Sequence, residues 1–404
     1  MQWMDKFIDF TSLKHFHYLF ELALIWFFVK IAGHLSKRIG QPSVMGELLA
    51  GIILGPTILG WLHPTPLIKE LAEIGVILLM FIAGLETDMK EFRKSAFAST
   101  LVAILGVLLP FLGGFLTGIW LGFNTSTSAF IGTLLVATSV SISVQTLREM
   151  GKLQSKEGVT ILGAAVLDDI LGIIILSLVI GFTADTNGGG VVDLFILFSK
   201  IILFFVFVWV MGKKVLPWAF HKSTDLMTSE IILTFGLITA LGFAYIAEMM
   251  GMAGIVGSYF AGLMLSLTPY HEELFAKVET LSYSFFVPIF FVNIGLVANI
   301  SEINSTLLGQ MILLTIVAIL TKLIGGAIGG RLAGFNQRSA FGIGAGMIAR
   351  GEVGLIVGSI GLSKGLIPHD LFTATIVIVL ITTLVTPPLL KAFFSNHKKI
   401  ASPK

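Results

Sequence analysis

The chain has no cysteine, which excludes disulfide bridges, thiol nucleophiles and thiolate metal centres outright. Charge is scarce too: only 12% of the 404 residues are Asp, Glu, Lys or Arg, about half the share of a typical soluble domain. The formal net charge of +2 gives no ground for a nucleic-acid partner. Neither a basic leader nor a small-residue cleavage site precedes the first apolar run, where Asp5, Lys6, Asp9 and Lys14 stand instead, so that run is expected to be a retained span. A soluble appendage is also not expected, because only ten residues follow Phe394.

What is present is apolar. Hydrophobic residues make up 55% of the chain and the mean hydropathy is +0.94. Runs of about 18 to 26 apolar residues recur along the whole length, which selects membrane helices over the short alternating strands of a barrel. The expected fold is therefore an all-α polytopic membrane protein of about thirteen transmembrane helices, joined by short loops. Lys and Arg set its orientation: of 26, 18 fall in loops on one side, while Lys6, Lys14, Lys69 and Lys364 fall on the other and Lys30, Lys200, Lys322 and Arg350 within spans. This places the N-terminus outside and the C-terminus in the cytoplasm.

Two spans read as interrupted. The fifth, near 127–147, carries Thr138, Ser139, Ser141 and Ser143 at mid-membrane, and the twelfth, near 338–361, packs five glycines from Gly342 to Gly354 around Arg350 and Glu352. Non-helical backbone at that depth is tolerated only where it lines a cavity or is buried in protein, although small residues also mark close helix packing. The two lie seven spans apart, an odd offset, so a repeat relating them is inverted in the membrane, and paired broken helices point to a transporter's binding site.

The sixth span, near 158–183, holds GAAVLDDILGI with Asp168 and Asp169 side by side in an otherwise apolar run. Carboxylates at that depth are expensive and are functional candidates by default; a buried structural pair is the plainer alternative. Asp168 lies ten residues from the inner end of its span, and Lys322 of the eleventh, near 305–330, lies nine before Arg331. At 1.5 Å per residue both sit roughly 15 Å deep. Pairing at equal depth is the cheapest way to keep an intramembrane lysine. Neighbouring positions on a helix diverge by about 100°, so one acid can face Lys322 and the other a watery cavity. There a small cation would take oxygen ligands from the carboxylate and from Thr138 and Ser139. Protons compete for the same carboxylate. If the empty, doubly negative site is too costly to move, the two fluxes are coupled.

These residues, together with PSVMGELLAGIILGP (42–56), FIAGLETD (81–88) and ARGEVGLIV (349–357), resemble the monovalent cation:proton antiporter-2 family, over nearly all of the transport region. The closest likeness is to short sodium/proton antiporters of the NapA and GerN kind, the latter the spore-germination type. The resemblance implies the NhaA/NapA-like antiporter fold with two crossing broken helices, a homodimer, and elevator-like movement of a core against a dimer scaffold. It also implies a domain layout: dimerisation helices at 1–95 and 217–300, core halves at 96–183 and 301–396, a linker helix at 184–216 and a tail at 397–404. By position, Asp169 matches the carboxylate that binds sodium, lithium or potassium and proton. Asp168 matches the acid paired with a lysine, and Thr138 and Ser139 fall where the broken helix nears the ion. Family members with Asp-Asp and Lys tend to exchange two protons per sodium. No cofactor is implied beyond the transported ions.

Other charges have plainer readings. Glu47 snorkels, caps or takes part in transport; Glu86 and Asp88 pair with Lys90, Arg93 or Lys94 at the interface; Arg350 and Glu352 support the broken helix from partners elsewhere. Lys200 meets headgroups or another helix, and Asn293 departs from the small residue the family motif would have there, favouring a hydrogen bond between helices. Of the histidines His15, His17, His34, His63, His221, His271, His369 and His397, only His271, in a loop with Glu272, Glu273 and Glu279, forms a patch that would respond to pH. An intramembrane aspartyl protease needs its acids on different helices, so an enzyme is not expected. A germinant receptor would need no titratable cation site. The nearer alternative is a potassium/proton or potassium-efflux transporter of the same family, whose members typically show Gln-Asp in place of Asp168-Asp169 and add a nucleotide-binding domain.

Overall fold

The computed structural model describes residues 10–183, 189–223, 229–297 and 305–394. Among them are seventeen helices and no strand: α1 (Phe10–Arg38), α2 (Ser43–Leu54), α3 (Pro66–Glu86), α4 (Met89–Trp120), α5 (Thr125–Val136), α6 (Val140–Glu149), α7 (Lys156–Thr183), α8 (Gly189–Val210), α9 (Leu216–Ser223), α10 (Ile231–Met249), α11 (Gly254–Leu265), α12 (His271–Leu281), α13 (Val287–Leu296), α14 (Ser305–Leu332), α15 (Gln337–Gly346), α16 (Glu352–Ser363) and α17 (His369–Phe394). π-helical turns at Met211–Val215 and Ser282–Phe286 join α8 to α9 and α12 to α13. Nine stretches among the described residues are long and apolar enough to cross a membrane, and Ser43–Leu54, Gly254–Leu265 and Val353–Leu362 are shorter apolar helices. Length and apolarity alone thus do not reproduce the expected count of thirteen.

Local chemistry sets the boundaries. Thr65 accepts from the Ile68 amide with Pro66 in the first turn of α3, Asp88 caps α4 through the Lys90 amide at 2.7 Å, and Asn124 and Asn336 cap α5 and α15. One expected loop is a helix. His271, Glu272, Glu273 and Glu279 lie on α12, whose acidic first turn suits the positive end of the helix dipole and whose Leu274 and Val278 are buried.

The helices pack in two groups. In one, α4 lies against α5, α7 and α14, and α14 against α15 and α17; in the other, α3 packs on α11, α2 on α1 and α13, and α10 on α11. Small residues bring the backbones together, as expected where lipid removes the hydrophobic drive between helices. At the α3 and α11 crossing the approach is reciprocal: a Cβ on Gly84 would lie 2.1 Å from the Tyr259 carbonyl oxygen, and one on Gly262 2.1 Å from that of Phe81.

Gly84→Ala is accordingly expected to force α3 and α11 apart and destabilise the protein by about 3 kcal/mol, read as a fall in melting temperature of the purified protein in detergent. Gly242→Ala in α10, where a methyl group meets no described atom within 4 Å, is expected to melt as the native chain does.

Candidate functional site

The site forms where two helices break. The fifth apolar run is α5 and α6, separated by an extended step at 137–139, and the twelfth is α15 and α16, separated at 348–351. The breaks cross: the Ser139 amide donates to the Ala349 carbonyl at 2.7 Å and the Ser143 hydroxyl to the Gly346 carbonyl at 2.5 Å. At this contact a Cβ on Gly351 would lie 2.6 Å from Ser139 Oγ, so the glycine is required by space. Arg350 spans the crossing, 1% exposed. Its Nη2 donates to the Leu135 carbonyl at 2.6 Å and its Nη1 to that of Ile348. A guanidinium is thereby set against carbonyls at the end of α5 and just beyond α15, where the helix dipoles place negative charge. Two threonines of α17 hold its backbone: Thr382 Oγ1 accepts from the Arg350 amide at 3.2 Å, and the Thr383 hydroxyl donates to its carbonyl at 2.6 Å.

Beside the crossing, Lys322 Nζ of α14 donates to Asp168 Oδ1 of α7 at 2.7 Å, with side-chain exposures of 0% and 1%. Gly106 of α4 lies next to the ammonium, where a Cβ would be in ordinary contact with it at 3.9 Å. Asp168, Asp169 and Thr138 line a cavity of about 30 Å³ with Thr133 and Ala137 before the first break, Val353 and Val357 of α16, and Gly172, Ile173 and Leu176 of α7. That volume exceeds the roughly 10–15 Å³ that one water requires. The α7 lining residues other than the two acids all lie C-terminal to them, so the cavity extends toward that end of α7. Toward the other end the acids are backed by Leu162, Ala164 and Ala165, which share an apolar core with Val140 and Val144 of α6.

The donor set is hard oxygens from two carboxylates and a threonine hydroxyl on two segments, suited to a small cation or a proton. Comparison with known proteins shows the family. The model of the sodium/hydrogen exchanger transmembrane family matches residues 23–395. The chain belongs to the sodium/hydrogen exchanger family. The exchanger is 44% identical over 384 residues to the Na(+)/H(+)-K(+) antiporter GerN of Bacillus cereus, covering 95% of this chain and 98% of that one. It is 40% identical to a Na(+)/H(+) antiporter of Enterococcus hirae, covering 92% and 97%. Among solved structures, the sodium proton antiporter MjNhaP1 of Methanocaldococcus jannaschii superposes with a TM-score of 0.72 over 93% of this chain and 95% of that one; at 16% identity the likeness is one of fold.

The exchanger thus brings Asp168, Asp169, Thr138 and Lys322 together, with Arg350 behind them. Ser139 is adjacent in sequence but directs its hydroxyl toward Gly351 rather than the cavity. Glu352 begins α16, and its side chain lies outside the described residues. Asn293 Oδ1 is buried with no hydrogen-bond partner among the described residues, unlike the expected bond between helices. Lys200 is exposed on α8; His397 lies outside the described residues, as do the side chains of His15, His17 and His221. Glu86 pairs with Arg148 at 3.1 Å rather than with Lys90, Arg93 or Lys94, and Lys94 pairs with Glu91 three residues before it. Thr382 and Thr383 had gone unnoticed; a threonine pair in an apolar run was their only signal.

Removing one partner of a buried pair leaves an uncompensated charge. Lys322→Gln is expected to cost about 3–5 kcal/mol, and adding Asp168→Asn to it to recover most of that, measured by thermal melts of the native chain, the two single variants and the double variant.

Proposed function

We propose that this chain exchanges sodium for protons across a membrane, with Asp169 and Thr138 as the principal ion ligands. The observation that carries this reading is a pair of neighbouring acids at one cavity between the broken helices, with Asp168 giving Oδ1 to the Lys322 ammonium at 2.7 Å and Thr138 beside both. A carboxylate in such a place holds a cation or a proton, not both. Without either, the carboxylate that should hold the ion stays charged in a poorly solvated interior, with Lys322 beside Asp168 and the Arg350 guanidinium already set against backbone carbonyls, a state that is costly to move. Loaded with either ion the charge is offset, so movement of the site couples the two fluxes.

The relatives support the same reading, since GerN is described as exchanging sodium for protons and potassium and the Enterococcus hirae protein as exchanging sodium for protons. Potassium is the second cargo this favours, and lithium shares the oxygen-ligand chemistry. We infer further that α4–α7 and α14–α17 move as a core against a dimer-forming scaffold that includes α1–α3 and α10–α13, following the two packing groups. The distribution of Lys and Arg orients the N-terminus outward and the end of α6 toward the cytoplasm.

In proteoliposomes with a fluorescent pH indicator, Asp169→Asn is expected to abolish sodium-driven proton flux, and exchange at the native rate would overturn the assignment. Thr138→Ala is expected to raise the apparent KM for sodium about fivefold, the effect of one lost oxygen ligand. Running sodium, lithium and potassium in parallel, with and without an imposed voltage, reads selectivity and electrogenicity.

A further inference from the structure

The C-terminal end of α6, in the group that carries the site, is gripped by helices of the other group on two sides. On one side the Arg148 guanidinium reaches Glu86 at the end of α3 at 3.1 Å and also Glu279 of α12. It lies over the Tyr283 ring at 4.5 Å and the Phe275 ring at 5.4 Å. On the other side Glu149 Oε2 accepts from the amide of Ser43, the first residue of α2, at 2.7 Å, and Oε1 accepts from the Ser43 hydroxyl and from Gln145 Nε2. Opposite charges on consecutive residues thus bind different helices, the acid at the positive end of α2 and the base between two carboxylates.

Ser141, Gln145 and Glu149 follow one another at four-residue intervals and share a face of α6. Ser141 Oγ and Gln145 Oε1 on that face are buried and have no hydrogen-bond partner among the described residues. Buried polar atoms are normally satisfied, and a line of unsatisfied ones beneath a charged clasp fits a surface that is wet in another state of the protein. The cavity at Asp169 extends the opposite way, toward the C-terminal end of α7.

We propose that Arg148 and Glu149 form a two-sided latch that shuts the Asp168–Asp169 site toward the end of α6, and that on release the Ser141–Gln145 face lines the ion's path. This rests on the exchange reading. A purely structural clasp would hold α6 equally firmly, but its loss would loosen the protein everywhere; a latch exchanges access on one side of the site for access on the other.

Because the chain is free of cysteine, single introduced cysteines report access cleanly. Ser141→Cys and Thr133→Cys, the second on the cavity side, are labelled with a water-soluble maleimide in nanodiscs, where both membrane faces are open to reagent. Adding Arg148→Gln is expected to speed labelling at position 141 about fivefold, as for a half-buried ion pair lost, and to slow it at position 133. Glu279→Gln, which keeps the Glu86 contact, is expected to shift both rates in the same directions by less. An unchanged rate at 141, or a rise at both positions, overturns the latch. Labelling does not depend on transport, so sodium-driven proton flux in the otherwise native chain is scored separately, and its absence would sink the exchange reading rather than the latch.

Discussion

The buried ion pair between Lys322 and Asp168 is the constraint on which the site depends. Neither charge is tolerable alone in so dry a place, and together they tie α14 to α7. A mutual attraction in low dielectric holds only with good geometry, and 2.7 Å with nearly complete burial meets that demand. The pairing also gives two chemically identical neighbours different duties. The lysine holds Asp168 through Oδ1, and Asp169 shares the cavity as the acid proposed to take the ion.

The crossing of the broken helices solves a second problem, that of exposed backbone inside a membrane. Carbonyls freed at the ends of α5 and α15 would be costly to bury unpaired. Arg350 meets Leu135 and Ile348 directly, the Ser139 amide meets Ala349, and Thr382 and Thr383 take up the backbone of Arg350 itself. Irregular chain is thus stable where an ion must approach, because these backbone atoms are met by protein.

Much of the site was legible because charge is rare in apolar sequence. Asp168, Asp169 and Lys322 stood out by depth alone, and the two breaks by their runs of hydroxyls and glycines. The orientation of Ser139 was not legible, since within an extended step adjacent residues point to opposite sides and helical spacing no longer applies. Nor was the partner of Glu86: three basic residues lay within eight positions, but the one that reaches it comes from α6 and is fixed by tertiary packing. The charge-rich segment at His271 read as a loop, because four polar residues obscured the two buried apolar ones that make α12 amphipathic. At the ends of spans basic residues are commonplace, so Arg148 carried no distinguishing mark in the sequence.

The backbone contact of Gly84 with α11, and of Gly262 with α3, leaves those helices no slack. Joined like two planks glued face to face, they have no room to slide against each other. Under the motion proposed above, strain falls instead on the seam with α6, where the joints are polar.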